Sequence, residues 1–263
     1  MSLSEAFSPQ EWAILSGVFR LKSLAGRDPR HAISPRTLLN GQACEQLLAE
    51  LGPVIGSPSK AITASLLVKR FAFLATGACL YALSACDKGL LLTLDNCVVE
   101  YSHDRKVWTS SMPVAEQIPV EYSAGERAAW RESVVRALFA GLLAPLLESL
   151  HQVSGISRRI LWDNIAARVY SLYEKRLAKI DDVQIQQRIQ ADFQWLLTEA
   201  EPGLFGLNYN PLAHFRRPLT LLEDGRSMRF RRTCCFYYQA SDPVEYCAAC
   251  PLLRPKKYGL HSG

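Results

Sequence analysis

Four cysteines crowded into seventeen residues constrain this chain more than any other feature: Cys234-Cys235, an eleven-residue loop, then Cys247-Ala248-Ala249-Cys250. Four thiolates satisfy a tetrahedral zinc or a [2Fe–2S] cluster, since both accept sets of four cysteines. A C-x-x-C turn aims two sulfurs at one centre. The adjacent pair is harder to arrange, because neighbouring side chains of an extended strand point to opposite faces. The backbone must therefore bend at Cys234 and Cys235 if both are to bind. A single zinc is commonly held by two spaced knuckles, whereas a cluster spreads its ligands over two irons. The spacing leans toward iron–sulfur and leaves both open. A disulfide is the bland reading. Residues 1–7 lack the basic start of a secretory leader, which leads to the expectation of a reducing, cytoplasmic compartment. Clustered cysteines there bind metal or catalyse more often than they bridge.

Ahead of that segment lies material for a large core. Hydrophobic residues make up 49% of the 263 and charged residues 21%, the balance of an ordinary globular protein. The formal net charge of +5 is modest, so bulk charge demands neither nucleic acid nor membrane and leaves room for anionic partners. Ser8-Pro9-Gln10-Glu11 is a helix start, with a capping serine, proline in the first turn and glutamate three after the cap. A short helix over 41–51 should stop at Gly52-Pro53. The longest apolar run, 61–86, is interrupted by Lys69-Arg70. What remains is shorter than the roughly 20 residues a membrane span needs, which predicts a buried core helix. Cys79 and Cys86 lie on it about 10 Å apart along the axis, too far to share a metal. With Cys44 and Cys97 they read as small core residues.

The period changes over 90–108, where Leu92, Leu94, Val98, Val99 and Tyr101 suggest strands, with turns at Asp95-Asn96 and His103-Asp104. Helical periodicity returns over 126–150, where Pro145 should kink it, and again over 157–180 and 181–200. Residues 218–232 read as a β-hairpin turning at Asp224-Gly225, its second strand running into Cys234. The expected class is α+β: a predominantly helical body over 1–205, which would bind the substrate, small antiparallel β-hairpins, and a C-terminal four-cysteine cluster-binding segment within 206–263. Cations gather in that segment: Arg216, Arg217, Arg226, Arg229, Arg231, Arg232, Arg254, Lys256 and Lys257. They are either a solvated hairpin face or a surface that docks anions and favours the reduced form of a thiolate-bound centre. Tyr237, Tyr238 and Tyr246 would pack over that centre or simply anchor the loop. No G-x-G-x-x-G follows a strand and no P-loop is present, so no nucleotide site is expected.

At the cysteines the sequence also resembles a known family. Arg231-Arg232-Thr233-Cys234-Cys235, the loop and the C-x-x-C are similar to the C-terminal signature of the FhuF family of siderophore-iron reductases. Ile160-Leu161-Trp162-Asp163-Asn164 resembles that family's mid-chain Leu/Ile-Trp-x-Asn segment, Asn210-Pro211-Leu212 its Asn-Pro-Leu, and Asp224-Gly225 stands, as there, just upstream of the basic strand. The loop between the cysteine pairs is slightly longer than in another member, which bears on loop geometry more than on the ligand set.

The resemblance implies an iron–sulfur oxidoreductase with Cys234, Cys235, Cys247 and Cys250 as ligands of a [2Fe–2S] cluster and no catalytic group beyond it. One electron would pass to siderophore-bound Fe(III), of hydroxamate or mixed citrate–hydroxamate type, and Fe(II) would be released in the cytoplasm. Ferredoxin or flavodoxin would be the electron donor, nucleic acid would not be a partner, and peripheral attachment at the inner face of the cell membrane is compatible. Arg216, Arg217, Arg229, Arg231, Arg232, Lys256 and Lys257 become candidates for docking substrate or donor. Asn164, polar and beside a tryptophan, is a candidate for a hydrogen bond to the cluster loop. The alternative is a zinc-stapled module whose basic hairpin binds nucleic acid.

Overall fold

The computed structural model describes residues 3–102, 110–115, 117 and 119–255, and the fold is mostly helical. In chain order the elements are α1 (Pro9–Gly17), β1 (Leu21–Ser23), β2 (Ala32–Ile33), α2 (Gly41–Val54), α3 (Lys60–Ser84), β3 (Val99–Glu100) and β4 (Met112–Val114). There follow α4 (Arg127–Arg136), α5 (Ala144–Ser154), α6 (Arg158–Ser171), α7 (Val183–Thr198), α8 (Pro211–Phe215), β5 (Thr220–Leu221) and β6 (Ser227–Met228). Ser8 and Glu11 exchange the reciprocal bonds of a capping box at the start of α1.

The body is built around α3. Helix α6 packs along it, and α2, α5 and α7 cover its other sides. A helix enclosed by neighbours must be apolar all round, which is why this run looks long enough to span a membrane. Lys60–Ser84 and Arg127–Ser154 both have that length and apolarity, and 83% of the most apolar window of the first is buried inside the protein. Gly77 permits one close approach. A Cβ there would collide with Cδ1 of Phe19, whose ring lies on α3 between Phe73 and Tyr81.

Several sequence expectations change. Helix α2 runs past Gly52-Pro53, because Pro53 forgoes only its own N–H bond and Ile55 still donates to Leu51 at 3.1 Å. The chain leaves the helix at Gly56, whose φ of 67° is open to glycine. Pro145 falls just after a π-helical stretch, Ala137–Leu143, whose wider turn absorbs the missing N–H at the start of α5. Within 90–102 only Val99–Glu100 is a strand; Leu92 and Leu94 are buried on irregular chain held by bridges at Gly89–Val120 and Cys97–Val114. The turn at Asp95-Asn96 forms, while His103-Asp104 lies outside the described residues. β1 pairs with β4 in parallel, and β2–β3 and β5–β6 are antiparallel. The last hairpin is shorter than expected, since Arg231 donates its N–H to Ala249 at 3.0 Å instead of extending the ladder. Cys44, Cys79, Cys86 and Cys97 are buried in the core.

Candidate metal centre

The cysteine segment is fixed at both ends before it reaches the body. Phe230 is buried, and the Arg231–Ala249 bond ties the first cysteine pair to the second. Cys250 N–H donates to the Cys247 carbonyl at 2.9 Å, closing the C-x-x-C turn. The bend demanded by adjacent ligands falls at Phe236, whose φ is 62°. For a non-glycine residue that conformation costs about 1–3 kcal/mol and persists where surrounding structure enforces it. Here it turns the Phe236 N–H onto Cys234 Sγ, at 3.3 Å.

The four sulfurs do not gather about one point. Among the described residues no three His, Cys, Asp or Glu side chains converge as ligands of a single ion. They are drawn together two by two. Cys235 and Cys247 stand 3.8 Å apart, Sγ to Sγ, and Cys250 is the sulfur that acts most on Cys234. Two pairs suit a centre of two irons, each taking two thiolates, whereas zinc needs all four around itself. Cys235 and Cys250 are buried while Cys234 and Cys247 are half-buried, so the site has an edge at the surface. The hydrogen bond between the Cys235 and Cys247 thiols comes first in holding the Cys235 thiol below its ordinary value, and Lys69 and Arg231 add to it against burial. The same bond pushes the Cys247 thiol up, and burial pushes Cys234 up. A proton shared between two thiols is one that a metal displaces on binding.

Helices α3 and α6 grip this segment from below. Asp163, 1% exposed, accepts from both the N–H and the hydroxyl of Thr233, each at 2.7 Å, and lies 3.6 Å from Arg231 Nε. Among the described residues Asn164 makes no hydrogen bond to the cysteine loop itself. Its Nδ2 donates to Ser65 Oγ and carbonyl at 3.0 Å, and Ser65 Oγ donates to the Cys235 carbonyl at 3.0 Å. The direct bond belongs to its neighbour Asp163. Lys69 Nζ comes to 3.5 Å from Cys235 Sγ and sits 4.9 Å from the centre of the Tyr237 ring. Arg231 is buried, with Nε and Nη2 lacking a hydrogen-bond acceptor. A soft donor set, paired sulfurs and orphaned guanidinium donors beside them fit a dianionic iron–sulfur centre.

The candidate docking cations divide by partner. Arg216 and Arg229 both pair with Glu174, at 2.9 and 2.8 Å, and Arg226 pairs with Asp224. Arg231 is buried against Asp163 and is not a surface residue. Arg217 and Arg232 have no carboxylate partner among the described residues, and burial first, then Arg254 and Arg232, push the Arg217 guanidinium below its ordinary value. Lys256 and Lys257 lie outside the described residues. Tyr238 and Tyr246 stack at 5.2 Å, and Tyr237 bonds Glu245.

Sequence reasoning missed Lys69, Ser65, Arg168 and the role of Asp163. A signal was present for two of them. A lysine in the middle of a buried apolar helix, and an aspartate among buried residues of a helix, each need a buried partner. Residues 65–226 match the family model described as ferric iron reductase FhuF-like transporter, and residues 231–252 match the FhuF 2Fe-2S C-terminal domain. No curated protein matches the chain.

Proposed function

The chain belongs to the FhuF family of ferric iron reductases and carries its [2Fe–2S] domain, and on that premise we propose that it reduces siderophore-bound Fe(III). In this reading Cys234, Cys235, Cys247 and Cys250 hold the cluster, and the products are Fe(II) and free siderophore in the cytoplasm. The cluster supplies a single electron; no nucleophile or general base of the protein is required. Hard anionic oxygens hold Fe(III) far more tightly than Fe(II), because the smaller charge attracts them less. Gaining an electron therefore loosens the iron.

The chain's own residues then have three tasks. Thr233, held by Asp163, and Cys235, held by Ser65, keep the ligands in place. Lys69, Arg168 and Arg231 offset the accumulating negative charge. Arg217, Arg232 and Arg254 act on one another and have no carboxylate ion pair among the described residues, and this group of cations is where an anionic ferric chelate or an acidic ferredoxin or flavodoxin would dock. The observation that carries the reading is the pairing of the sulfurs at a surface edge. The zinc-stapled alternative would need all four thiolates around one ion.

The test is anaerobic stopped-flow mixing of the reduced protein with a panel of ferric siderophores. Visible absorption should return to the oxidised form at a rate that rises with chelate concentration, with Fe(II) trapped by a ferrous chelator in equal amount. A reduced protein that is not reoxidised by any member of a hydroxamate, citrate–hydroxamate and catecholate panel would overturn it.

A further inference from the structure

The two sulfur pairs differ in electrostatic surroundings. Cys235 faces the Lys69 ammonium at 3.5 Å, and Arg231 also acts on both Cys235 and Cys247. Arg168, behind them, donates from Nε to the Lys69 carbonyl at 3.2 Å and is coupled electrostatically to the same two cysteines. On the other side, the groups acting most on Cys234 are burial, the neutral N–H of Phe236 and the neighbouring sulfurs. Lys69 has no carboxylate partner among the described residues; it rests on the Tyr237 ring. A lysine placed this way on a core helix is an expensive feature for a fold to carry without use.

We propose that Lys69 is a positioning residue for the redox step, making the Cys235–Cys247 half of the centre the half that takes up the electron and raising the potential of the whole. This rests on the cluster reading above. One electron from a low-potential one-electron donor lowers one iron from Fe(III) to Fe(II). Two ferric irons, two sulfides and four thiolates carry a charge of −2, which becomes −3, with no bond broken and no proton taken up. The electron then leaves to the ferric chelate. A cation stabilises the more negative state more, and stabilises most the charge nearest to it, so an asymmetric cation sets an asymmetric electron. Arg168 and Arg231 reinforce the same side.

The experiment is redox titration of the cluster-loaded protein, followed by Mössbauer spectroscopy of the reduced, 57Fe-enriched form, for wild type, K69M, K69R and K60M. Lys60, at the start of α3, pairs with exposed Glu45 far along the helix from the cysteines and serves as control. K69M should be reduced about tenfold less readily, a fall of about 59 mV for one electron. Its ferrous doublet should change while the ferric doublet stays as in wild type. K69R should recover most of the shift, and K60M should show none. A K69M protein with the wild-type potential and ferrous doublet would overturn the proposal while leaving the cluster itself in place. So would a K69R that falls as far as K69M, since that would make Lys69 a packing residue. Should K69M take up no iron, R168Q decides: a lowered potential supports the proposal and an unchanged one overturns it. Protein that binds zinc and no iron in every variant would remove both this inference and the reading beneath it.

Discussion

Replacing Asp163 by alanine removes a carboxylate that is 1% exposed and holds three groups of the cysteine segment: the Thr233 N–H, the Thr233 hydroxyl and the Arg231 guanidinium. A hydrogen bond to a charged acceptor contributes about 1.5–3 kcal/mol. Breaking a buried ion pair by deleting one member costs about 3–5 kcal/mol, since the other charge is left alone. These contributions overlap, so about 3–5 kcal/mol is the reasoned total, or roughly 2.2 to 3.7 decades in the equilibrium between closed and open segment. The loss should fall on residues 231–250 and spare the helical body. The assay is denaturant titration followed in parallel by visible absorption, which reads the cluster, and far-ultraviolet circular dichroism, which reads the helices. In D163A the visible transition should move to much lower denaturant and iron content should drop, with the helical transition little changed. D163N separates charge from geometry, because both Thr233 bonds go to one oxygen, which asparagine keeps. It should fall between wild type and D163A. Iron content and visible midpoint of D163A equal to wild type would refute the assignment of Asp163 as the clamp.

Two further outcomes follow. G77A should lower the thermal midpoint by the equivalent of about 1–3 kcal/mol, because the added Cβ would meet the buried Phe19 ring, and the double variant G77A/F19L should recover much of it. R217E and R232E should each slow reoxidation by an anionic ferric siderophore at low ionic strength while leaving cluster content intact. The difference should shrink toward 1 M salt, where screening extends about 3 Å.

The helical body was legible in the sequence because its signals are local. The Ser8–Glu11 capping box acts within one turn, and the apolar run of α3 and the helical spacing over 157–180 and 181–200 repeat every turn or two. The four cysteines were legible as a set because thiolates so spaced have few other uses, and the bend they require was foreseeable even though its place at Phe236 was not. What failed was nonlocal. Leu92 and Leu94 alternate as a strand does, yet they are buried by packing against the body and not by pairing. The cations near the cysteines looked equivalent in sequence, but Glu174 sits on the α6 side of the fold and takes Arg216 and Arg229, while Arg231 turns inward to Asp163. Lys69 is separated from Cys235 by most of the chain and only the packing of α3 under the loop joins them. Asn164 drew attention where Asp163 does the binding, since sequence gives a helix face only to within a residue.

The central claim is that the C-terminal sulfurs, paired as Cys235–Cys247 and Cys234–Cys250, enclose a two-iron centre. Mössbauer spectroscopy of anaerobically purified, 57Fe-enriched protein, with metal and acid-labile sulfide assayed on the same sample, tests it most directly. Equal amounts of iron and sulfide, with two iron environments that separate on reduction, are the predicted result. A colourless protein holding zinc in a single tetrahedral thiolate site would contradict it.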